Sequence, residues 1–245
     1  MSSCTRTRTQ QRGWGARVRS AVALVCVAWG FAATPALAQG AHAFTVHSVD
    51  LASNVSVDLT RLWNVDAVPP ETQVTSGPAN ATVLTTNSAT YGYTGTDDLT
   101  ATAGLLYQSR LDGGAWSALS SALSRTLTAV TDGAHTFEVR ASDAGGNVDV
   151  SPASRTFTTD AVGPIITITS GPAANACVNT SGVTFNWTAT DAVTPQGNLL
   201  YAWQIDGGAL STFALALSAN PAGLGEGLHT FTIQARDGSS NITSL

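Results

Sequence analysis

The stretch Asp132-Gly133-Ala134-His135-Thr136-Phe137-Glu138-Val139-Arg140-Ala141-Ser142-Asp143-Ala144-Gly145-Gly146-Asn147 decides the fold. Apolar Phe137, Val139 and Ala141 alternate with polar Thr136, Glu138 and Arg140. That period of two turns one side of a strand toward a core and the other toward water. Asp and Gly precede the strand, and Asp-Ala-Gly-Gly-Asn follows it, residues that build turns from their own side chains or from positive φ. The stretch also recurs. Gly227-Leu228-His229-Thr230-Phe231 repeats its start 94 residues later, and Gly40-Ala41-His42-Ala43-Phe44 anticipates it by 93.

Working outward, the register holds almost without gaps. Thr75-Ser76-Gly77-Pro78-Ala79 returns as Thr169-Ser170-Gly171-Pro172-Ala173, Thr96-Asp97 as Thr190-Asp191, Tyr107 as Tyr201, and Asp112-Gly113-Gly114 as Asp206-Gly207-Gly208. Asp143 and Asn147 return as Asp237 and Asn241, and match Asp50 and Asn54 at the start. Asp66-Ala67-Val68-Pro69-Pro70 matches Asp160-Ala161-Val162-Gly163-Pro164. A period this long marks a string of like modules. The expected organisation is a leader over residues 1–38, a partial repeat of two strands over 39–66, a complete module over 67–163, and a second module over 164–245 that lacks its last strand.

Inside a repeat the same alternation reappears. Ala89, Tyr91 and Tyr93 share one face, as do Val183, Phe185 and Trp187 one repeat on; Leu105, Tyr107, Ser109 and Leu111 match Leu199, Tyr201, Trp203 and Ile205. Each of these strands has one apolar face to cover, and two sheets face to face cover both. About seven strands in ~94 residues, with turns every 8–12, predict an all-β sandwich in each repeat.

Asp112-Gly113-Gly114-Ala115-Trp116 followed by the Asp132 to Asn147 stretch resembles the immunoglobulin-like, fibronectin III-like tandem repeat of large bacterial exported proteins. The resemblance runs from Gly40 to Leu245 and implies strings of seven-stranded sandwiches in adhesins, surface stalks and multidomain secreted enzymes. It further implies a Cys pair at the positions held here by Ser109 and Leu119. This chain has neither cysteine, so packing alone is expected to hold each core.

Composition bounds the partners. The 245 residues contain no Lys, and five of the 11 Arg (Arg6, Arg8, Arg12, Arg17, Arg19) lie in the first 19 positions. All 16 acids lie after residue 38, so from Gln39 onward six Arg face 16 acids, a net −10. Such a chain repels phosphate backbones, and nucleic acid is not expected as a partner. The basic start, the apolar run Ala21 to Ala33 and the small residues Ala36 and Ala38 have the order of a secretory leader cleaved before Gln39. The apolar run is shorter than the ~20 residues of a membrane helix. Secretion, the cell surface or the periplasm is the expected location, with no membrane span once the leader is gone. Only Cys177 would then remain, too few for an internal disulfide.

Candidate chemistry is sparse. Three of the four histidines (His42, His135, His229) hold the same repeat position, which marks a feature of the module rather than a catalytic group. No nucleophile-and-base pattern or zinc spacing accompanies them, so neither an enzyme nor a bound cofactor is expected. Asp143-Ala144-Gly145-Gly146-Asn147-Val148-Asp149 reads first as a turn; the alternative is a weak calcium site at Asp97, Asp98, Asp143, Asn147 and Asp149. Trp116, directly after the Gly113-Gly114 turn, reads as packing on a sheet edge or as a stacking platform for sugar. The expected function is a stalk, spacer or protein-interaction surface of an exported structural or adhesion-type protein. The alternative is a carbohydrate- or protein-binding accessory module of a secreted enzyme system. Extracellular proteins or glycans are the expected partners, and the partial repeat at each end raises head-to-tail association between copies.

Overall fold

The described residues of this computed structural model are 38–245; the expected leader lies outside them up to position 37. Residues 38–66 form a unit of their own. There β1 (Gly40–Val46) pairs antiparallel with β2 (Leu59–Val65), Gly40 opposite Val65 and Val46 opposite Leu59. The side chains with counterparts in a core, Phe44, Val46 and Trp63, are exposed. Two strands present no second layer to cover them.

Residues 67–245 contain two hydrophobic cores. Around the first, β3 (Glu71–Ser76), β5 (Ala89–Thr96) and β7 (Ser124–Leu127) form one sheet in the order β3-β5-β7. The facing sheet runs β4-β9-β8-β6, from β4 (Thr82–Leu84), β6 (Leu106–Leu111), β8 (Gly133–Ser142) and β9 (Ala153–Thr159). All pairings are antiparallel except β4 with β9. The alternation of the sequence becomes depth: Tyr91, Phe137, Val139 and Ala141 are fully buried, while the intervening Glu138 and Arg140 bond to Arg110 and Gln108 of β6 on the outer face. Burying an aromatic or aliphatic side chain of this size stabilises by about 1.5–3 kcal/mol.

The second core follows the same plan with six strands instead of seven, no counterpart of β4 being formed among the described residues. β10 (Ile165–Ser170), β11 (Phe185–Thr190) and β13 (Ser218–Ala219) make one sheet; β12 (Leu200–Ile205), β14 (Phe231–Arg236) and β15 (Ile242–Ser244) make the other, in the order β12-β14-β15. Equivalent side chains make equivalent contacts. Tyr91 stacks on Phe137 with ring centroids 4.4 Å apart, and Phe185 stacks on Phe231 at 4.0 Å. Tyr93 tilts against Tyr107, and Trp187 against Tyr201.

The repeated Thr-Ser-Gly-Pro-Ala segment begins with a bulge at the end of each module's first strand. The register shifts between Val74 and Ser76, and again between Ile168 and Ser170. Gly77 and Gly171 then leave the strands with φ of +115° and +145°. The Asp-Gly-Gly turns also match: Asp112 and Gly113 both have positive φ, as do Asp206 and Gly207. Cys177 is an exposed free thiol in a loop. Among the described residues no helix is long and apolar enough to cross a membrane.

Candidate functional site

The Asp-x-x-x-Asn loop occurs in three copies with one geometry. Asn147 donates its backbone N–H to Asp143 Oδ1 and its side-chain Nδ2 to Asp143 Oδ2, both at 2.8 Å. Asn241 does the same to Asp237 at 2.8 and 2.7 Å, and Asn54 to Asp50 at 2.9 and 2.8 Å. Both oxygens of each aspartate are thus engaged by the asparagine four residues on. This is the self-bonded turn that Asp and Asn favour.

The other residues expected at a calcium site are held differently. Asp97 Oδ2 accepts the N–H groups of Leu99 and Thr100 at 3.0 and 2.7 Å, while its Oδ1 is buried without a protein partner among the described residues. Asp97 and Asp98 bring carboxylate oxygens within 4.8 Å of each other. Asp149 is 1% exposed; its Oδ1 accepts from Ser151, and its Oδ2 is buried without a protein partner among the described residues.

A convergence of three carboxylates lies where the chain passes from the first core to the second. Asp160, Asp191 and Asp237 place carboxylate oxygens within 4.8 Å of one another. Asp160 directly follows β9, Asp191 follows β11 and Asp237 follows β14. Asp160 and Asp237 are buried. Asn241 Nδ2 donates to the Asp160 carbonyl at 3.0 Å, and the Ser239 hydroxyl donates to Asp160 Oδ2 at 2.5 Å. Asp191 Oδ1 accepts from Val193 and Thr194 N–H. Burial pushes the Asp160 carboxyl above the ordinary aspartate value; the charges of Asp237, Asp191 and Asp132 push the same way, against the Ser239 hydrogen bond. These three aspartates stand one repeat after Asp66, Asp97 and Asp143. Their recurrence was therefore visible in the sequence, and their meeting point was not.

A raised folded-state value for an acid means that the native state binds a proton that the unfolded chain has already lost, so stability falls as pH rises through that interval. Asp160→Asn removes the charge and keeps an acceptor for Ser239. In chelated buffer at pH 7 the variant is expected to melt about 2–4 °C higher than the parent chain, with the difference closing toward pH 4. Thermal unfolding at the two pH values checks this, and an Asn variant that melts lower at pH 7 would sink it.

Trp116 lies half-buried on the outer face of the β6–β8 pair. The Arg110 guanidinium carbon is 4.3 Å from the ring centroid and that of Arg140 is 4.1 Å. Arg110 is fixed by two hydrogen bonds to Glu138, at 2.7 and 2.8 Å, and Arg140 by two to the Gln108 side-chain carbonyl. Guanidinium groups stack well on indole. The ring is therefore anchored by packing, with part of its surface left to solvent. The second module substitutes Leu210 at this position and sets Arg236 over Phe213 at 4.5 Å instead.

No family model matches the chain. It is 31% identical over 186 residues to Chitinase A1 of Niallia circulans, covering 72% of this chain and 26% of that protein. It is 29% identical over 222 residues to Exoglucanase B of Cellulomonas fimi, covering 87% of this chain and 20% of that one. The chain thus spans about a quarter and a fifth of these curated relatives. Among solved structures, it is 16% identical to the fibronectin(III)-like modules of Clostridium thermocellum CbhA, with a TM-score of 0.32 over 71% of this chain and 90% of that one. It is 21% identical to a tetra-tandem repeat from the extending region of a large adhesion protein, with a TM-score of 0.35 over 86% and 56%. Three strands face four around the first core and three face three around the second, the two-sheet arrangement of a β-sandwich. The chain is built from tandem all-β sandwich modules. In a β-sandwich the connections gather at the two ends, and here the junction between the two modules gathers Asp132, Asp160, Asp191 and Asp237.

Proposed function

We propose that these fibronectin III-like modules act outside the cytoplasm as a spacer or stalk of a structural or adhesion-type protein. The observation that carries this reading is the hydrogen bonding of the link between modules. Asp132, in the loop before β8, accepts the N–H groups of Ala161 and Val162 at 2.9 and 3.0 Å. From the other side, Asn241 and Ser239 hold Asp160. A link gripped by both neighbours transmits position along the chain rather than flexing. Backbone ¹⁵N relaxation of the purified chain tests it. Residues 67–245 are expected to tumble with one correlation time, and Asp132→Ala to split it in two; two independent times in the parent chain would overturn the spacer reading.

A second reading, an accessory module of a secreted enzyme system, draws on the likeness to Chitinase A1 and Exoglucanase B and on the partly exposed Trp116. Co-sedimentation with chitin and with cellulose tests it. Retention that disappears in Trp116→Ala favours this reading, and no retention on either polysaccharide favours the spacer.

The spacer reading takes in calcium as a weak ligand of the loops with Asp97, Asp98, Asp143, Asn147 and Asp149. The Asp143 turn is already closed by Asn147, so little is left for an ion to organise. At a free concentration near its dissociation constant an ion adds only about 0.4 kcal/mol. Millimolar calcium is expected to raise the melting temperature by about 1–2 °C. A larger rise that survives Asp143→Ala moves the ion elsewhere.

A further inference from the structure

In both sandwich modules one histidine sits between two acceptors. His135 Nδ1 is 2.7 Å from Asp112 Oδ2, and its Nε2 is 2.7 Å from the carbonyl oxygen of Thr131. One repeat later, His229 Nδ1 is 2.7 Å from Asp206 Oδ2, and its Nε2 is 2.8 Å from the Gly225 carbonyl. A neutral imidazole carries one N–H. Whichever tautomer it takes, it aims a lone pair at one of these two oxygens. Only the doubly protonated ring donates to both, and charge-assisted bonds of this length are the strong ones.

The aspartate is itself placed by the turn. Asp112 takes a φ of 52°, donates its own N–H to the Thr136 carbonyl and accepts the Thr136 N–H at Oδ1, leaving Oδ2 for the ring. Asp206 and Thr230 repeat every one of these bonds. The ring thus ties the turn after β6 to the start of β8, and the turn after β12 to the segment entering β14. The third copy is incomplete: His42 Nε2 meets the Ala38 carbonyl at 2.6 Å, but the first acidic residue of the chain is Asp50, so no aspartate precedes it.

We infer that His135 and His229 are held as imidazolium cations at neutral pH, each clasping its module, and that raising the pH opens the clasps by removing the ring proton. The surroundings of His135 are Asp112 from the turn, Asp132 from the preceding loop, the Phe157 ring of β9 at 5.3 Å, and Arg125 of β7, which lines the same surface cavity. Burial of His135 works against its charge, and the hydrogen bonds to Asp112 and Thr131 outweigh it, so the ring titrates above the ordinary histidine value. His229, nearer to solvent, is raised by the Gly225 carbonyl and then by Asp206; Glu226 is its nearest acid in the sequence. The same pair holds Asp206 below the usual carboxylate range, first through the His229 bond and then through Thr230 N–H. A histidine whose folded value is raised contributes its full stabilisation below the unfolded value near 6.5, and loses it as pH rises through the folded value.

Nitrogen-15 spectra of the histidine rings in the purified chain test this directly. At pH 7 both ring nitrogens of His135 and of His229 are expected to be protonated, converting to a single protonated nitrogen at higher pH. The melting temperature is expected to fall by roughly 4–8 °C between pH 6 and pH 9, and His135→Asn combined with His229→Asn to flatten that fall. A single protonated nitrogen on both rings at pH 7 overturns the inference, and so does a fall of undiminished size in the double variant. If that variant does not fold, the ring spectra of the parent chain decide alone.

Discussion

Phe137→Ala is expected to remove about 3–5 kcal/mol from the first module. Phe137 has no exposed surface, stacks on Tyr91 with centroids 4.4 Å apart, and lies 6.5 Å from the Tyr93 ring. It joins the two sheets, since it belongs to β8 while both tyrosines belong to β5. Truncation leaves a cavity walled by rigid rings that have nowhere to collapse. The second core shares none of these residues, so its own transition is expected to stay in place. Denaturant unfolding followed by tryptophan fluorescence separates the two modules, because Trp116 reports on the first and Trp187 and Trp203 on the second. A midpoint for the first module within error of the parent would be fatal. Phe44→Ala, on the exposed face of the β1–β2 hairpin, serves as the contrast and is expected to change stability by less than about 0.5 kcal/mol.

Gly77→Ala is expected to cost about 2–4 kcal/mol, the sum of a strained backbone and a steric clash. With φ at +115°, the glycine occupies a region that L side chains rarely adopt. A Cβ there would stand 2.6 Å from the Thr90 carbonyl oxygen and 2.7 Å from a ring carbon of Tyr91. Neither neighbour yields easily, since Thr90 is backbone of the central strand β5 and Tyr91 is locked in the core. Gly171 repeats the situation against the Phe185 ring at 2.6 Å. Gly113→Ala separates the two costs. Its φ is +67°, but a Cβ there meets nothing within 4 Å. That variant is expected to lose only about 1 kcal/mol. Equal losses at Gly77 and Gly113, measured by thermal unfolding, would show that the clash contributes nothing.

Much of the first module was legible because strand phase is a local property. Tyr91 and Tyr93, then Phe137, Val139 and Ala141, alternate in the sequence and are buried in that phase. The hairpin of residues 40–65 was legible as two strands, yet Phe44 and Trp63 are not core residues here, because a buried face needs a second sheet as well as an alternating pattern. Trp116 stands out in the sequence directly after a Gly-Gly turn, but its two arginine supports do not. Arg110 and Arg140 lie 30 residues apart in the chain and become neighbours only when β6 pairs with β8. The calcium residues illustrate the same limit. Asp143 and Asn147 stand four apart and bond to each other, as turn chemistry predicts, while the three-carboxylate grouping at the junction draws on Asp191 and Asp237, which the sequence shows only as repeats.

By itself the sequence determined the all-β class, the 94-residue period, the inward side of the core strands in the first module and the places where the chain turns. Each of these depends on neighbours within a few residues: alternation sets the face of a strand, and Gly, Asp and Asn carry their turn geometry with them. Only the tertiary structure decided which distant positions meet. Asp112 and His135 are 23 residues apart, and the second acceptor that fixes the charge of the ring comes from Thr131, on the other side of the same histidine. Asp160, Asp191 and Asp237 come from the ends of three strands and converge because the link between modules returns to the end of the second sandwich where those strands finish. A protonation state and a cluster of charges depend on distances between groups, and those distances are set only when the sheets have packed.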